Sequence, residues 1–279
     1  MTSAFRLDGK TAIVTGGSRG LGLYAAEGLL EAGVTTLVIT SRKANACDEA
    51  ITYLKGKFPS ANLNLISIPA DLSKESEVKR FISAVKAAGI NKVHICLANA
   101  GATWGAPFDS FPDSGFEKVF DLNVRSVFNL IRECAPLLEA AAVPGDPARV
   151  ITVGSVAGIG IGNVGPNGTY SYAASKAAVH HLSKHLAVAL GPRGILVNAI
   201  APGFFVTKMA AALINKSGGE DALGKSTPNG RLGGPQDIAG VVTFLSSKAA
   251  SHVNGVVIPI DGGKHLLAGF DDANWKAKL

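Results

Sequence analysis

Short β-branched runs alternate with longer helical segments along the whole chain, and this alternation constrains the fold more than any other feature. The runs lie at Thr11–Thr15, Thr35–Thr40, Leu63–Ile68, Lys92–Ala98, Arg149–Val153, Leu196–Ile200 and Val256–Ile260. Most are nearly continuous in apolar residues, as expected of parallel strands buried on both faces. Helical patterns fill the intervals at Gly22–Ala32, Ala44–Lys57, Glu75–Ala88, Phe116–Ala140, Ser171–Leu190 and Pro235–Ser247. Strand–helix alternation of this kind predicts an α/β fold, a doubly wound parallel sheet flanked by helices. No internal repeat and no Pro-, Ser- or charge-rich linker breaks the pattern, so residues 1–279 read as a single domain. Two Gly-rich stretches, Gly158–Gly168 and Phe204–Gly233, read as loops beside the sheet; 204–233 is expected to form a lid and 264–279 a tail.

Composition narrows the class further. With 47% hydrophobic and 17% charged residues, whole-chain disorder and a small disulfide scaffold are excluded. Cys47, Cys96 and Cys134 are odd in number and far apart, which suits reduced thiols inside a cell. No apolar stretch approaches the ~18 residues of a membrane span, and Arg6, Asp8 and Lys10 precede any apolar run that could serve as a signal core. A soluble, intracellular protein is expected. The formal net charge of +6 leaves nucleic acid, a membrane surface or a phosphate-bearing ligand open. No aromatic-laced basic stripe supports nucleic acid.

The first strand runs into Thr15-Gly-Gly-Ser-Arg-Gly-Leu-Gly22 and then a helix. Glycines at 16, 20 and 22 permit a tight turn and close approach of a pyrophosphate to the helix N-terminus, although the spacing is not the usual G-x-G-x-x-G. A plain glycine-rich turn has the same appearance. Gly16–Gly20 also matches the G-x-S-x-G elbow of a hydrolase, but that reading leaves Gly22 unexplained and needs a downstream acid and histidine. Gly219–Ser226 matches a phosphate-loop pattern, yet polar Asn215, Lys216 and Ser217 precede it where a buried strand is required. Two glycosylation sequons, at Asn167 and Asn215, carry no meaning without a secretory signal.

At the end of the second strand the sequence reads Val38-Ile-Thr-Ser-Arg-Lys43. A carboxylate there would bind the ribose 2′-OH of NAD, whereas arginine accommodates the 2′-phosphate of NADP. No carboxylate is present; Arg42 and Lys43 supply cations, and Arg19 in the glycine turn can close on the same phosphate. A solvated basic surface is the plain alternative, but these positions favour NADP(H). Farther on, Tyr172 and Lys176 stand at i and i+4 early in a helix, on one face. A nearby ammonium favours the phenolate and is expected to bring a phenol of pKa near 10 into useful range. Tyr170 has Ala174 at the same spacing and cannot substitute. Ser155 follows the Arg149–Val153 strand at the sheet's carboxyl edge, where open α/β folds place ligands.

Thr15–Gly22, Asn99-Ala-Gly101, Asn123, Ser155, Tyr172-x-x-x-Lys176 and Pro202-Gly203 occur in the order of the short-chain dehydrogenase/reductase family, which the chain resembles from about Leu7 to Gly263. Asn99–Pro107 and Arg149–Gly158 look most like the 3-oxoacyl-ACP reductase subgroup associated with rhamnolipid synthesis. The resemblance implies a Rossmann-type sheet of about seven strands. It also implies an NADPH-dependent oxidoreductase that reduces a ketone to a secondary alcohol. On that basis Tyr172 would give its proton to the carbonyl oxygen, Ser155 would polarise the carbonyl, and Lys176 would tune Tyr172 and hold the nicotinamide ribose. Asn123 would support a water relay to Lys176. The cofactor would be held by Gly16, Ser18, Arg19, Gly20, Leu21, Gly22, Ser41, Arg42, Lys43, Asp71, Leu72, Asn99, Ala100, Gly101, Tyr172, Lys176, Pro202, Gly203, Val206 and Thr207. Asp71 would contact the adenine, Asn99 would line the cleft, and Thr207 would reach the carboxamide. Ser155 and Tyr172 stand 17 residues apart (172 − 155), a few more than the family usually shows; the excess falls in Gly158–Gly168 and bears on substrate shape.

His181 and His185 have helical spacing but lack the Glu of H-E-x-x-H, so packing or subunit contact outweighs metal binding and no metal is expected. Trp104, Phe108, Phe204 and Phe205 flank the expected cleft, where they serve equally as core or as an acyl-chain surface. Ala277-Lys278-Leu279 resembles a peroxisomal address, so the expected location is cytoplasmic, or peroxisomal if that signal works. First substrates are 3-oxoacyl thioesters of ACP or CoA. The alternatives are a carbonyl reductase of a polyol or secondary-metabolite ketone and a cofactor sensor without turnover. The family suggests a homotetramer or homodimer built on the Phe116–Ala140 and Ser171–Leu190 helices.

Overall fold

The computed structural model describes residues 2–59, 62–207, 210, 211, 214 and 218–267. Seven strands, β1 (Thr11–Thr15), β2 (Thr36–Thr40), β3 (Asn64–Ser67), β4 (Ile95–Ala98), β5 (Ala148–Val153), β6 (Ile195–Pro202) and β7 (Val257–Ile260), form one sheet in the order 3-2-1-4-5-6-7. Every pairing is parallel. The order reverses between β1 and β4, and that switch point opens a crevice at the carboxyl edge.

The alternating direction of side chains along a strand splits the core into two layers. Ile13, Val38 and Cys96 point into one, with α3 (Glu75–Ala87), α5 (Ser126–Ala141) and α6 (Tyr170–Leu190). Ala12, Val14, Leu37, Ile39 and Leu97 point into the other, with α1 (Gly20–Glu31), α2 (Ala44–Lys57) and α8 (Pro235–Ser246). Continuous apolar strands are thus explained by helices on both faces. Among the described residues, no helix is long and apolar enough to cross a membrane.

Two expectations change. The single helix expected over Phe116–Ala140 is α4 (Asp113–Phe120), a π-helical stretch at Asp121–Arg125, and then α5. Asn123, inside that stretch, turns its side chain onto the Ala102 backbone and Ser175, an arrangement that a single inserted wide turn accommodates. Within Phe204–Gly233, expected as loop, a short helix α7 covers Glu220–Lys225. Because those helical residues lie inside the phosphate-loop match, its glycines cannot wrap a phosphate before a helix begins. Ala277-Lys278-Leu279 lies outside the described residues.

Candidate active site

The glycine turn is built by backbone conformations that only glycine takes without strain, and by close contacts. Gly16 and Gly20 have φ of 62° and 55°. A Cβ at Gly22 would strike the Gly16 carbonyl and Asn99 Nδ2, so the first turn of α1 sits directly on the strand end. Asn99 seals the arrangement: its Nδ2 donates to Thr15 O (2.9 Å) and Gly16 O (3.1 Å). The backbone N–H groups of Asn99 and Ala100 donate to Thr15 Oγ1 at 2.9 and 3.0 Å. Arg19 occupies the N-cap of α1 with no side-chain cap, leaving the helix's positive end facing the crevice.

Around this turn the other expected cofactor positions fall at the same edge. The Gly16 N–H donates to Thr40 O and the Ala70 N–H to Ser41 O, which brings Ser41, Arg42, Lys43 and Asp71 beside the turn. Arg19, Arg42 and Lys43 are exposed, and none pairs with a carboxylate among the described residues. Asp71 accepts from the Ser73 hydroxyl (2.8 Å), and Leu72 is buried. On the far side, Gly203 packs against Asp261, Val206 O accepts from the Tyr24 hydroxyl (3.3 Å), and the Thr207 methyl lies 3.4 Å from the Cβ position of Gly20. The start of the 204–233 segment therefore crosses over the glycine turn.

The second cluster forms where β5 ends against α6. Ser155 Oγ accepts the Ala157 N–H (3.2 Å) and donates to Pro202 O (3.5 Å), with the Tyr172 hydroxyl beside it. Lys176 is buried, its Nζ donating to Val153 O (2.7 Å) and lying 5.5 Å from the centroid of the Tyr172 ring. Asn123 Nδ2 donates to Ser175 Oγ (2.9 Å), and Ser175 donates to Tyr172 O (2.7 Å). A Cβ at Gly101 would lie 3.2 Å from Asn123 Oδ1 and 3.6 Å from Lys176 Nζ, so these groups share one small space. Tyr170, two positions earlier, instead packs edge-on to Phe108 and Phe111.

The electrostatics correct one expectation. Spacing alone predicts a Tyr172 phenol eased toward ionisation, yet burial raises its pKa, only partly offset by the neighbouring Ser155 hydroxyl. The Lys176 ammonium lies over the ring and is committed to Val153 O; burial lowers its own pKa to about 8. The phenol is therefore held neutral, the state of a proton donor.

Spacing also passed over His180. It lies on the α6 face of Tyr172 and Lys176, one turn beyond Lys176, and the i, i+4, i+8 series was the available signal. It is buried, and its Nε2 accepts the Ser155 N–H at 3.4 Å. His181 and His185, by contrast, are exposed and pair with each other through Nε2 at 3.2 Å; no three-ligand metal cluster exists among the described residues. Of the four flanking aromatics, Phe205 is core under Gly233 and Trp104 lies flat on Gly115 beneath Lys118. Phe204 is half-buried, and Phe108 remains exposed against Tyr170.

Known proteins resemble this chain over nearly its whole length. A family model described as enoyl-(acyl carrier protein) reductase matches residues 16–265. The rhamnolipids biosynthesis 3-oxoacyl-[acyl-carrier-protein] reductase of Pseudomonas aeruginosa is 44% identical over 94% of this chain and 98% of the relative. Gluconate 5-dehydrogenase of Gluconobacter oxydans is 32% identical over 93% and 96% of the two chains. Among solved structures, the Pseudomonas aeruginosa RhlG/NADP active-site complex superposes with a TM-score of 0.87 at 43% identity, covering 95% of this chain and 100% of that one.

Proposed function

The chain belongs to the short-chain dehydrogenase/reductase family, and we propose that it is an NADP(H)-dependent reductase that turns a ketone into a secondary alcohol. Its first substrate class is the 3-oxoacyl thioesters of ACP or CoA. The observation that carries the reading is the Ser155–Tyr172 hydroxyl pair with buried Lys176, next to an open helix N-terminus flanked by cations that pair with no carboxylate among the described residues.

The residues present fit the cofactor. Glycine at 22 lets the first turn of α1 lie directly on the Gly16 carbonyl, while Arg19, Arg42 and Lys43 meet a 2′-phosphate with no carboxylate paired to them among the described residues. Gly16, Ser18, Gly20 and Leu21 would follow the pyrophosphate. Ser41, Asp71 and Leu72 would flank the adenosine half, and Asn99, Ala100, Gly101, Pro202, Gly203, Val206 and Thr207 the nicotinamide half. NADPH, when bound, supplies the hydride that the carbonyl carbon accepts.

The chain's own groups handle the oxygen. Ser155 turns its hydroxyl from the long contact with Pro202 O to the carbonyl oxygen, favouring the negative charge that develops there. Tyr172, kept protonated by burial, delivers its proton to the same oxygen and completes the alcohol. Lys176 stabilises the phenolate left behind and holds the ribose, with Asn123 on the water route by which the proton returns. The lid is the 204–233 segment, tied at its base by the Phe205–Gly233 bridge and the Arg231–Asp237 ion pair.

Substrate choice rests on the long loop after Ser155. Ile159, Ile161 and Val164 stand exposed there and Phe108 nearby, a surface suited to an acyl chain rather than a polyol. Two oxygen-directed donors suit a carbonyl better than the carbon–carbon double bond named by the family model. The gluconate relative keeps a polyol ketone as the second reading. A cofactor sensor would have no use for the Ser155–Tyr172–Lys176 set. Self-association as a homodimer or homotetramer would use the helices α5 and α6. The bacterial origin of the named relatives favours the cytoplasm over a peroxisomal matrix.

The test is NADPH oxidation with 3-oxoacyl-CoA esters and polyol ketones. Tyr172→Phe should lose at least about 100-fold in kcat; an undiminished rate overturns the mechanism, and no oxidation with any ketone overturns the reaction. Arg42→Asp should shift preference toward NADH, and an unchanged ratio refutes the phosphate assignment.

A further inference from the structure

We propose that His180 is a positioning residue for Ser155: its ring, wedged beneath Gly154 and accepting the Ser155 N–H, fixes the turn that aims the Ser155 hydroxyl at the reacting carbonyl. The inference rests on the reaction proposed above.

The turn leaves β5 at Gly154, whose N–H still donates to Ile200 O at 2.8 Å. Beyond it the chain folds onto α6 at two points. At Gly158 a Cβ would strike the Lys176 and Ala177 backbone; at Gly154 it would overlap the His180 ring itself. Glycine at 154 is therefore what lets an imidazole lie directly under the serine. From there Nε2 accepts the Ser155 N–H at 3.4 Å, and the Gly158 N–H closes the turn onto Ser155 O at 2.9 Å. A ring accepting at Nε2 carries its proton on Nδ1, so a neutral imidazole grips the start of the turn. The charged groups acting on it, Lys176 and Lys184, both oppose its protonation, and burial adds to them.

The Ser155 side chain alone is weakly fixed. Its Oγ is held by the Ala157 N–H at 3.2 Å and a 3.5 Å contact to Pro202 O, and the second must loosen for the hydroxyl to face a substrate. The backbone of Ser155 must then hold the direction, and His180 is the side chain that grips it. Leucine would fill the same volume but leave the Ser155 N–H unpaired in a buried place.

The experiment compares His180→Phe, His180→Gln and His180→Asn in the full chain, with wild-type and Ser155→Ala backgrounds. It measures NADPH oxidation with the best 3-oxoacyl-CoA, the KM for NADPH and the Tm. Glutamine places an amide oxygen near the Nε2 position; asparagine stays polar but stops short of it. His180→Phe should lower kcat by roughly 10- to 100-fold, the scale of a displaced reacting group, with the KM for NADPH unchanged. His180→Gln should recover most of that loss and His180→Asn little. In Ser155→Ala, adding His180→Phe should cost nothing more, because the function it supports is already gone. Full activity in His180→Phe, equal loss in the Gln and Asn variants, or a further loss on top of Ser155→Ala each overturns the proposal. If His180→Phe does not fold, the Gln–Asn pair decides on the same criterion. A wild-type protein that reduces no ketone overturns the reaction and this inference together, whereas an active wild type with indifferent His180 variants overturns this inference alone.

Discussion

Lys176 and His180 are basic groups one turn apart on the same helix, and burial works against the charge of both. Lys176, with a pKa lowered to about 8, keeps its proton at neutral pH and releases it as pH rises through that value. Its ammonium is assigned to the ribose, so NADPH affinity of the free protein should weaken between pH about 7 and about 9, and Lys176→Met should flatten that slope. A fluorescence titration with NADPH reads both, and an affinity indifferent to pH in the wild type counts against the assignment. His180 titrates at about 4, below the 6.5 of a free imidazole. The unfolded chain therefore takes up a proton first. The resulting stability is fully present above about 6.5 and is lost as pH falls toward 4. Urea unfolding at pH 7 and pH 4.5 should show that acid loss in the wild type and less of it in His180→Gln. The neighbouring histidines show what a sequence withholds at this scale. His181 and His185 drew attention by spacing and turn out exposed. His180 was passed over despite its i, i+4, i+8 spacing because its partner is a backbone N–H 25 residues away.

All seven strands and most helices were legible as elements because each carries its own period and length. The π-helical stretch at Asp121–Arg125 was not, since its cause lies in partners 21 and 52 residues from Asn123 along the chain. The glycine turn showed the opposite balance: its residues announced a phosphate site, and only its clasp by Asn99 waited for β4 to arrive beside β1. Another close approach, between α1 and α8, is equally invisible in periodicity. A Cβ at Gly28 would lie 2.6 Å from the Ala239 Cβ and 2.8 Å from its Cα, so the helices cross nearly backbone to backbone. Gly28→Val should cost about 1–3 kcal/mol through overpacking. Differential scanning calorimetry would show the lowered Tm, and an unchanged Tm would mean that the two helices can separate freely.

At the scale of the molecule, the two edges of the sheet do different work. Every residue assigned to the reaction or cofactor lies at or near the carboxyl edge, whereas the amino edge carries a charge cluster. There Lys10 Nζ meets Asp146 Oδ2 at 2.8 Å, and the almost fully buried Arg149 reaches Asp146 Oδ1 at 3.5 Å and donates to Ser247 O at 3.0 Å. Asp146→Asn leaves two cations near each other with little water, and should cost on the order of 3 kcal/mol while kcat/KM at the opposite edge stays unchanged. Denaturation and steady-state assays of the same variant separate the two effects; a fall in kcat/KM would show that the edges communicate. The strand order also imposes a schedule on synthesis. β1 is made first, but its second neighbour is β4, so the chain must reach Ala98 before the middle of the sheet can close and Asn99 can lock the turn at Gly16. Until then a nascent chain exposes one flank of β1, and pairing across so many residues closes slowly. The cofactor crevice is therefore a late product of assembly, and the first capacity to retain a dinucleotide marks the moment at which the two halves of the sheet have joined.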